Sequence, residues 1–253
     1  MTGKELVVKA LKDKGVQYVF GYTGGAIMPV LDEMERQKVF SFIMSRHEQG
    51  AAFMAQGVSR ASVSTANPQV GVCVATSGPG AMNLVTGIAD AIMDSVPILA
   101  ITGQVPSGVI ATDAFQESDV VGVMMPLTKQ VYMPLSVEKI EETIHEAFYI
   151  ATTGRGGPVV VDIPKDIQVQ QMDETYQFTP EKYEPDLPGF YYSPNPDRES
   201  VMKAVSLINN SERPIILCGH GVITGNAGDK LRRFAEKAHI PIGFTLHGLA
   251  SVA

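Results

Sequence analysis

The chain has 253 residues, of which 45% are hydrophobic and 19% charged, with a formal net charge of −7. That length suits one complete α/β domain plus part or all of another, and the acidic balance, with no basic run, excludes a protein that neutralises nucleic-acid phosphates with clustered Lys and Arg. No apolar stretch reaches the roughly 18 residues that span a bilayer, and Met1-Thr2-Gly3-Lys4-Glu5 lacks the apolar core of a signal peptide, so a cytoplasmic location is expected.

Thr2-x-x-Glu5 reads as a capping box before apolar Leu6, Val7, Ala10 and Leu11, predicting a helix that Gly15 ends in a left-handed cap. Short apolar runs then alternate with helical patterns. Tyr18 to Phe20, Phe42 to Met44, Val70 to Ala75, Ile98 to Thr102 and Val159 to Ile163 read as strands. Ile27 to Arg36, Glu48 to Arg60, Gly80 to Asp94 and Val137 to Ala151 read as helices, the last with acidic residues in its first turn where the helix dipole favours them. The alternation predicts an α/β fold, a parallel sheet with helices on both faces, over residues 1–168.

From 169 to 197 the chain turns polar and proline-rich without helical or strand period, as an interdomain linker does. A second, Rossmann-like α/β pattern opens at 198: helix Arg198 to Asn209, strand Pro214 to Cys218, helix Ala227 to Ala238 and strand Ile242 to Leu246. Two βα units are too few to close an independent core, so the native protein is expected to continue past Ala253. Cys73 and Cys218 lie within apolar runs, which predicts buried free thiols and no Cys/His metal pattern.

Three strand ends carry polar, Gly-rich loops that would open on one edge of one sheet, where α/β folds hold ligands. Ser45-Arg46-His47-Glu48-Gln49-Gly50 sets a carboxylate at a strand-to-helix junction. By itself that is as well explained by an ordinary first-turn Glu. Thr76-Ser77-Gly78-Pro79-Gly80 is either an anion-binding turn, without the Lys and spacing of a P-loop, or a purely structural one. Ile101-Thr-Gly-Gln-Val-Pro106 and Thr112-Asp-Ala-Phe-Gln-Glu117 follow the next strand.

Taken in order with Gly21-Tyr-Thr-Gly-Gly-Ala26 and Gly154-Arg-Gly-Gly-Pro-Val-Val-Val-Asp-Ile-Pro-Lys-Asp166, these segments resemble the pyrimidine-binding domain of the acetohydroxyacid (acetolactate) synthase catalytic subunits, enzymes dependent on thiamine diphosphate. The resemblance covers nearly the whole chain. It implies that Glu48 hydrogen-bonds N1′ of the cofactor's aminopyrimidine and promotes loss of the thiazolium C2 proton. Pyruvate is then decarboxylated and its two-carbon unit passed to a second 2-ketoacid, pyruvate or 2-ketobutyrate, in branched-chain amino-acid biosynthesis. It further implies that Thr76, Pro79 and Asn83 border the pyrimidine, and that Gly25, Ala26, Phe115, Gln116 and Lys129 line the route to the reacting carbon. Pro106 and Ala114 would lie near the channel mouth, where herbicides bind in susceptible relatives.

FAD would meet Arg155, Gly219, Gly221, Thr245 and Leu246. Mg²⁺ and the diphosphate would be held by a C-terminal domain whose Gly-Asp-Gly signature does not occur before Ala253, so the chain alone is expected to be inactive and no metal ligand is assigned in it. The same resemblance implies a homodimer or homotetramer and a small regulatory subunit. Thr23 stands where the family usually has Pro, Ser107-Gly108 replaces a commonly basic pair, and His220 interrupts a glycine triplet. Other thiamine-diphosphate oxidases, decarboxylases and carboligases are the alternatives, as is a non-catalytic interaction protein descended from such an enzyme.

Overall fold

The computed structural model describes residues 1–173, 175–176, 178–180, 187, 195–249 and 251–252. The chain divides into two compact units: residues 1–61 with 69–187, and 62–68 with 188–253.

The first unit opens with α1 (Gly3–Asp13), where Glu5 accepts the Thr2 N–H at 2.8 Å and Gly15, at φ +70°, turns the chain away. There follow β1 (Tyr18–Gly21), α2 (Met28–Gln37), β2 (Ser41–Met44), α3 (Glu48–Ser62), β3 (Gly71–Ala75), α4 (Pro79–Asn83), α5 (Val85–Met93), β4 (Ile98–Gln104), α6 (Val120–Met124), β5 (Gln130–Tyr132), α7 (Glu138–Thr152), β6 (Val159–Pro164) and α8 (Lys165–Val169). The six strands form one sheet, all parallel, in the order β2-β1-β3-β4-β6-β5.

Central strands β3, β4 and β6 are buried along their whole length, so both sides of each are apolar. The strand period of two then divides their side chains. Phe20, Cys73, Ala75, Ile98, Ala100 and Val160 share a core with Ala51, Ala52 and Ala55 of α3, Ala81 of α4, Ile88 and Ala91 of α5, and Val120 and Met124 of α6. The alternate residues, among them Val72, Val74, Leu99, Ile101 and Val161, face the other way. There α7 packs on β4 and β6, and α1 on α2, α7 and α8. The small alanines of α3 let that helix lie close to the sheet. Buried Glu141 of α7 is neutralised by Lys9 of α1.

Two sequence expectations change. The helix read as Gly80 to Asp94 is interrupted at Leu84, whose amide bonds the Ala81 carbonyl at 3.1 Å, one residue short of the α-helical step. The three-residue edge strand β5 was not legible, because so short a run carries no period. Gln171 forms a bridge with Thr2, and Met172 donates to the Met1 carbonyl, so the first residues after 168 lie along the start of the chain. Most of the expected linker, including residues 181–186 and 188–194, lies outside the described residues.

The second unit contains α9 (Arg198–Asn209), capped by Asp197 on the Ser200 amide at 2.8 Å, then β7 (Ile216–Cys218), α10 (Gly221–Thr224), α11 (Gly228–Ala238) and β8 (Ile242–Phe244). β7 and β8 pair in parallel. Both cysteines are free and buried, and burial pushes the Cys73 thiol up to about 12, which leaves it unreactive at neutral pH. Among the described residues no helix is long and apolar enough to cross a membrane.

Candidate functional site

β1 and β3 are neighbours, yet the loops leaving them part company. The loop after β1 leads to α2, which packs with α1 and α8, whereas the loop after β3 leads to α4 on the opposite face. A crevice at the carboxyl end of a parallel sheet opens where successive loops diverge in this way. Its two lips are joined by one bond, from the Ala26 N–H to Thr76 Oγ1 at 3.1 Å. From beneath, buried Gln168 donates to the Ala26 carbonyl at 2.7 Å and to the Ile163 carbonyl at 2.8 Å, pinning the Gly25–Ala26 turn. Sequence reasoning missed Gln168; nothing in a lone amide after a strand announces a contact 142 residues away.

Glu48 begins α3 just beyond β2 and is only 7% exposed. Its Oε2 accepts from Asn83 Nδ2 at 2.9 Å, so α4, although it has only five residues, holds the carboxylate in one orientation. Oε1 lies over Gly80, where an added Cβ would come within 3.3 Å of it and 2.7 Å of Thr76 Cγ2. The structure therefore brings Glu48, Thr76, Asn83 and the Pro79–Gly80 turn together around one shielded carboxylate. This arrangement can present a single carboxyl oxygen to a flat polar ring from which water is excluded. That is what an aminopyrimidine nitrogen requires, so the residues fit the pyrimidine half of thiamine diphosphate.

The loop after β4 closes the same edge. Gln104 ends the strand, accepts from the Val105 amide at 2.8 Å, and donates to the Ser118 carbonyl at 3.1 Å and to Asp162 Oδ2 at 2.8 Å. Asp162 lies on β6 with no exposed surface and also accepts from Thr102 Oγ1 at 2.6 Å. Burial raises its carboxyl to about 6, against the lowering effect of the Thr102 and Gln104 bonds. At the loop's start Asp166 Oδ1 accepts the Ser107 amide at 2.8 Å. Pro106 and Ala114–Gln116 thus belong to the crevice edge, and Phe115 is 89% exposed.

Gly78 joins that loop to the crevice. It adopts φ +54° and ψ −117°, and a Cβ there would stand 2.4 Å from the Gln116 carbonyl oxygen. Gly78→Ala is therefore expected to cost about 1–3 kcal/mol, from backbone strain and overpacking together. Denaturant unfolding measures the cost. An unchanged midpoint would mean that the Gln116 backbone does not rest on Gly78.

Two expected residues lie elsewhere. Lys129 precedes β5, whose first residue is in register with the first residue of β6, so it stands at the amino edge of the sheet, opposite the crevice. Its ammonium donates to the carbonyls of Ile150 and Thr153 at the end of α7, and burial lowers its pKa to about 8. Lys165, directly after β6, follows the carboxyl end of that strand. Arg155 is also at the amino edge, donating to Ser95 Oγ at 2.6 Å and to the Met93 carbonyl at 3.0 Å. In the second unit Gly219, Gly221, Thr245 and Leu246 gather at the carboxyl ends of β7 and β8, where the Thr245 amide donates to the Cys218 carbonyl at 2.9 Å. Around Gly221 there is open space, and Leu246 is 79% exposed, so this edge leaves room for a ligand as an FAD contact would need.

Residues 1–123 match the N-terminal TPP binding domain of thiamine pyrophosphate enzymes, and residues 201–253 match the central domain of the same enzymes. Both matches are to domains of thiamine pyrophosphate enzymes. The matched N-terminal segment contains β1 to β4 and every residue of the Glu48 cluster. Similar proteins include the acetolactate synthase large subunit of Corynebacterium glutamicum, 45% identical over 99% of this chain and 38% of that protein. A probable acetolactate synthase large subunit of Methanocaldococcus jannaschii is 48% identical over 98% of this chain and 41% of its own length. The isozyme 1 large subunit of Escherichia coli is 44% identical over 98% and 42%. The chain thus spans about two fifths of the length of the curated relatives it matches.

Proposed function

We propose that this chain is the pyrimidine-binding and central portion of an acetolactate synthase catalytic subunit, which joins pyruvate to a second 2-ketoacid in branched-chain amino-acid biosynthesis. The observation that carries the reading is Glu48, a buried carboxylate at the topological switch point, oriented by Asn83 and with Oε1 directed over Gly80. Similarity along nearly the whole chain to acetolactate synthases from three distant organisms supports the choice of reaction.

Thiamine diphosphate, when bound, supplies the nucleophilic centre and the electron sink for decarboxylating a 2-ketoacid. Glu48 shares or gives a proton at the pyrimidine through Oε1 while Asn83 keeps Oε2 occupied. Thr76 and the Ala26 turn hold the crevice lips at a fixed spacing. Lys165 supplies positive charge at the edge where an anionic ketoacid would arrive. FAD would rest on Gly219, Gly221, Thr245 and Leu246. By the same reading Mg²⁺ would be held by the C-terminal domain of the full-length subunit, which would act in the cytoplasm as a homodimer or homotetramer with a small regulatory subunit.

The test is acetolactate formation from pyruvate with thiamine diphosphate, Mg²⁺ and FAD. It compares this chain with a protein in which the chain is carried at the full length of its relatives. Activity confined to the longer protein is the expected result. A longer protein that consumes pyruvate without making acetolactate would move the reading to another thiamine-diphosphate enzyme.

A further inference from the structure

The segment between β4 and α6 contains a backbone arrangement that its composition does not explain. Ala111, Asp113 and Gln116 have φ of +67°, +58° and +59°, in the left-handed region that L-residues avoid, and none of the three is glycine. Three such residues within six positions persist only where something else holds the backbone.

Glu117 supplies that hold. One carboxylate oxygen accepts the Ala111 N–H, and the other accepts the Ala114 N–H at 2.9 Å. The Glu117 amide returns a bond to the Ala114 carbonyl at 2.9 Å. The amides of Ala111 and Ala114, aided by those of Thr112 and Asp113, hold the carboxyl below the usual carboxylate range. Its charge is therefore in place at every pH where the protein would work. The ends of the loop have their own anchors, Asp166 on Ser107 and Gln104 on Ser118. The turn between them, carrying Ala114, Phe115 and Gln116, is gathered around Glu117.

We propose that Glu117 is a positioning residue, whose carboxylate folds 111–117 into one conformation and so fixes Phe115 and Gln116 at the mouth of the Glu48 crevice. The coupling to the crevice is direct, because the Gln116 backbone rests where a Gly78 side chain would be, two residues from Thr76 and from Gly80. Fixing the backbone that carries an exposed aromatic ring removes part of the entropy that a ketoacid would otherwise have to spend in ordering it. The acceptor-binding part of this inference rests on the acetolactate synthase reading; the anchoring part does not.

Glu117→Gln replaces one acceptor oxygen with an NH₂ that faces a backbone N–H, and Glu117→Asp keeps the charge but withdraws it by one methylene. In this chain, hydrogen exchange at the Ala111 and Ala114 amides is expected to accelerate roughly ten-fold or more in both variants, from loss of charge-assisted bonds. Exchange in β3 and β4 should stay unchanged, which shows that the fold is intact. In the full-length protein the KM for pyruvate is expected to rise at least about ten-fold while kcat and thiamine diphosphate affinity stay within about three-fold, because uniform binding is what is lost. Unchanged exchange at both amides overturns the anchor. Faster exchange with an unchanged KM overturns the positioning role, and a wild type that makes no acetolactate removes the acceptor role while the exchange result still decides the anchor.

Discussion

A Glu48→Gln protein, carried at the full length of its relatives, is expected to lose acetolactate formation by roughly 10²- to 10⁴-fold, the usual contribution of a positioned acid or base. The substitution is nearly isosteric, so the packing of α3 against Thr76 and Gly80 survives. The Gln oxygen can still accept from Asn83, as Oε2 does at 2.9 Å. The amide NH₂ is then left where Oε1 was, over Gly80, with a fixed pair of hydrogens and no ability to exchange a proton. The loss should fall on kcat, since a ring nitrogen can still be met by a hydrogen bond from the amide. Thiamine diphosphate affinity, read from quenching of intrinsic fluorescence, should weaken by less than about ten-fold, the value of one net hydrogen bond. Steady-state rates within three-fold of wild type would remove Glu48 from the proton chemistry and leave it a first-turn carboxylate of α3.

Much of that site is legible in the sequence, for physical reasons that differ from residue to residue. The strands that build the crevice are short apolar runs bounded by Gly and Pro, so their ends, and with them Glu48 and Thr76, could be placed on one edge. Asn83 came from the resemblance alone. Its bond to Glu48 depends on where the helical run tightens, and Leu84 looks like an ordinary helical leucine. Lys129, which the resemblance assigned to the route to the reacting carbon, stands at the amino edge of the sheet. Which edge it occupies depends on β5, a strand of three residues too short to show a period. Gln168 and Glu117 act through single long or strained contacts, and neither kind leaves a mark in spacing or composition.

Asp162→Asn is expected to make the protein more stable at pH 7 and less stable near pH 4, with the two stability curves crossing in between. The folded-state carboxyl sits at about 6, above an ordinary 3.8. A raised carboxyl pKa means that the folded state binds the proton more tightly than the unfolded chain does. The associated stability is fully present below about 3.8 and is lost as pH rises through about 6. At about 1.4 kcal/mol for each pH unit, the charged form of Asp162 costs the fold about 3 kcal/mol at pH 7 relative to the protonated form. Asn cannot ionise, so it escapes that cost. Its oxygen can still accept from Gln104, and its NH₂ can donate to Thr102 Oγ1, which must then turn its own proton elsewhere at about 1 kcal/mol. The net expectation is about 2 kcal/mol of added stability at pH 7 and a deficit of under about 1 kcal/mol near pH 4. Urea unfolding of both proteins at each pH measures the difference directly and cancels every other titrating group common to them. A difference that stays flat from pH 4 to 7 would mean that the Asp162 carboxyl is not raised above its unfolded value, its charge fully compensated by Thr102 and Gln104. Because Gln104 bonds both Asp162 and the Ser118 carbonyl, the variant also asks whether the crevice loop needs the charge or only the hydrogen bonds. A stable Asn protein with an unaltered KM for pyruvate would assign that support to geometry alone.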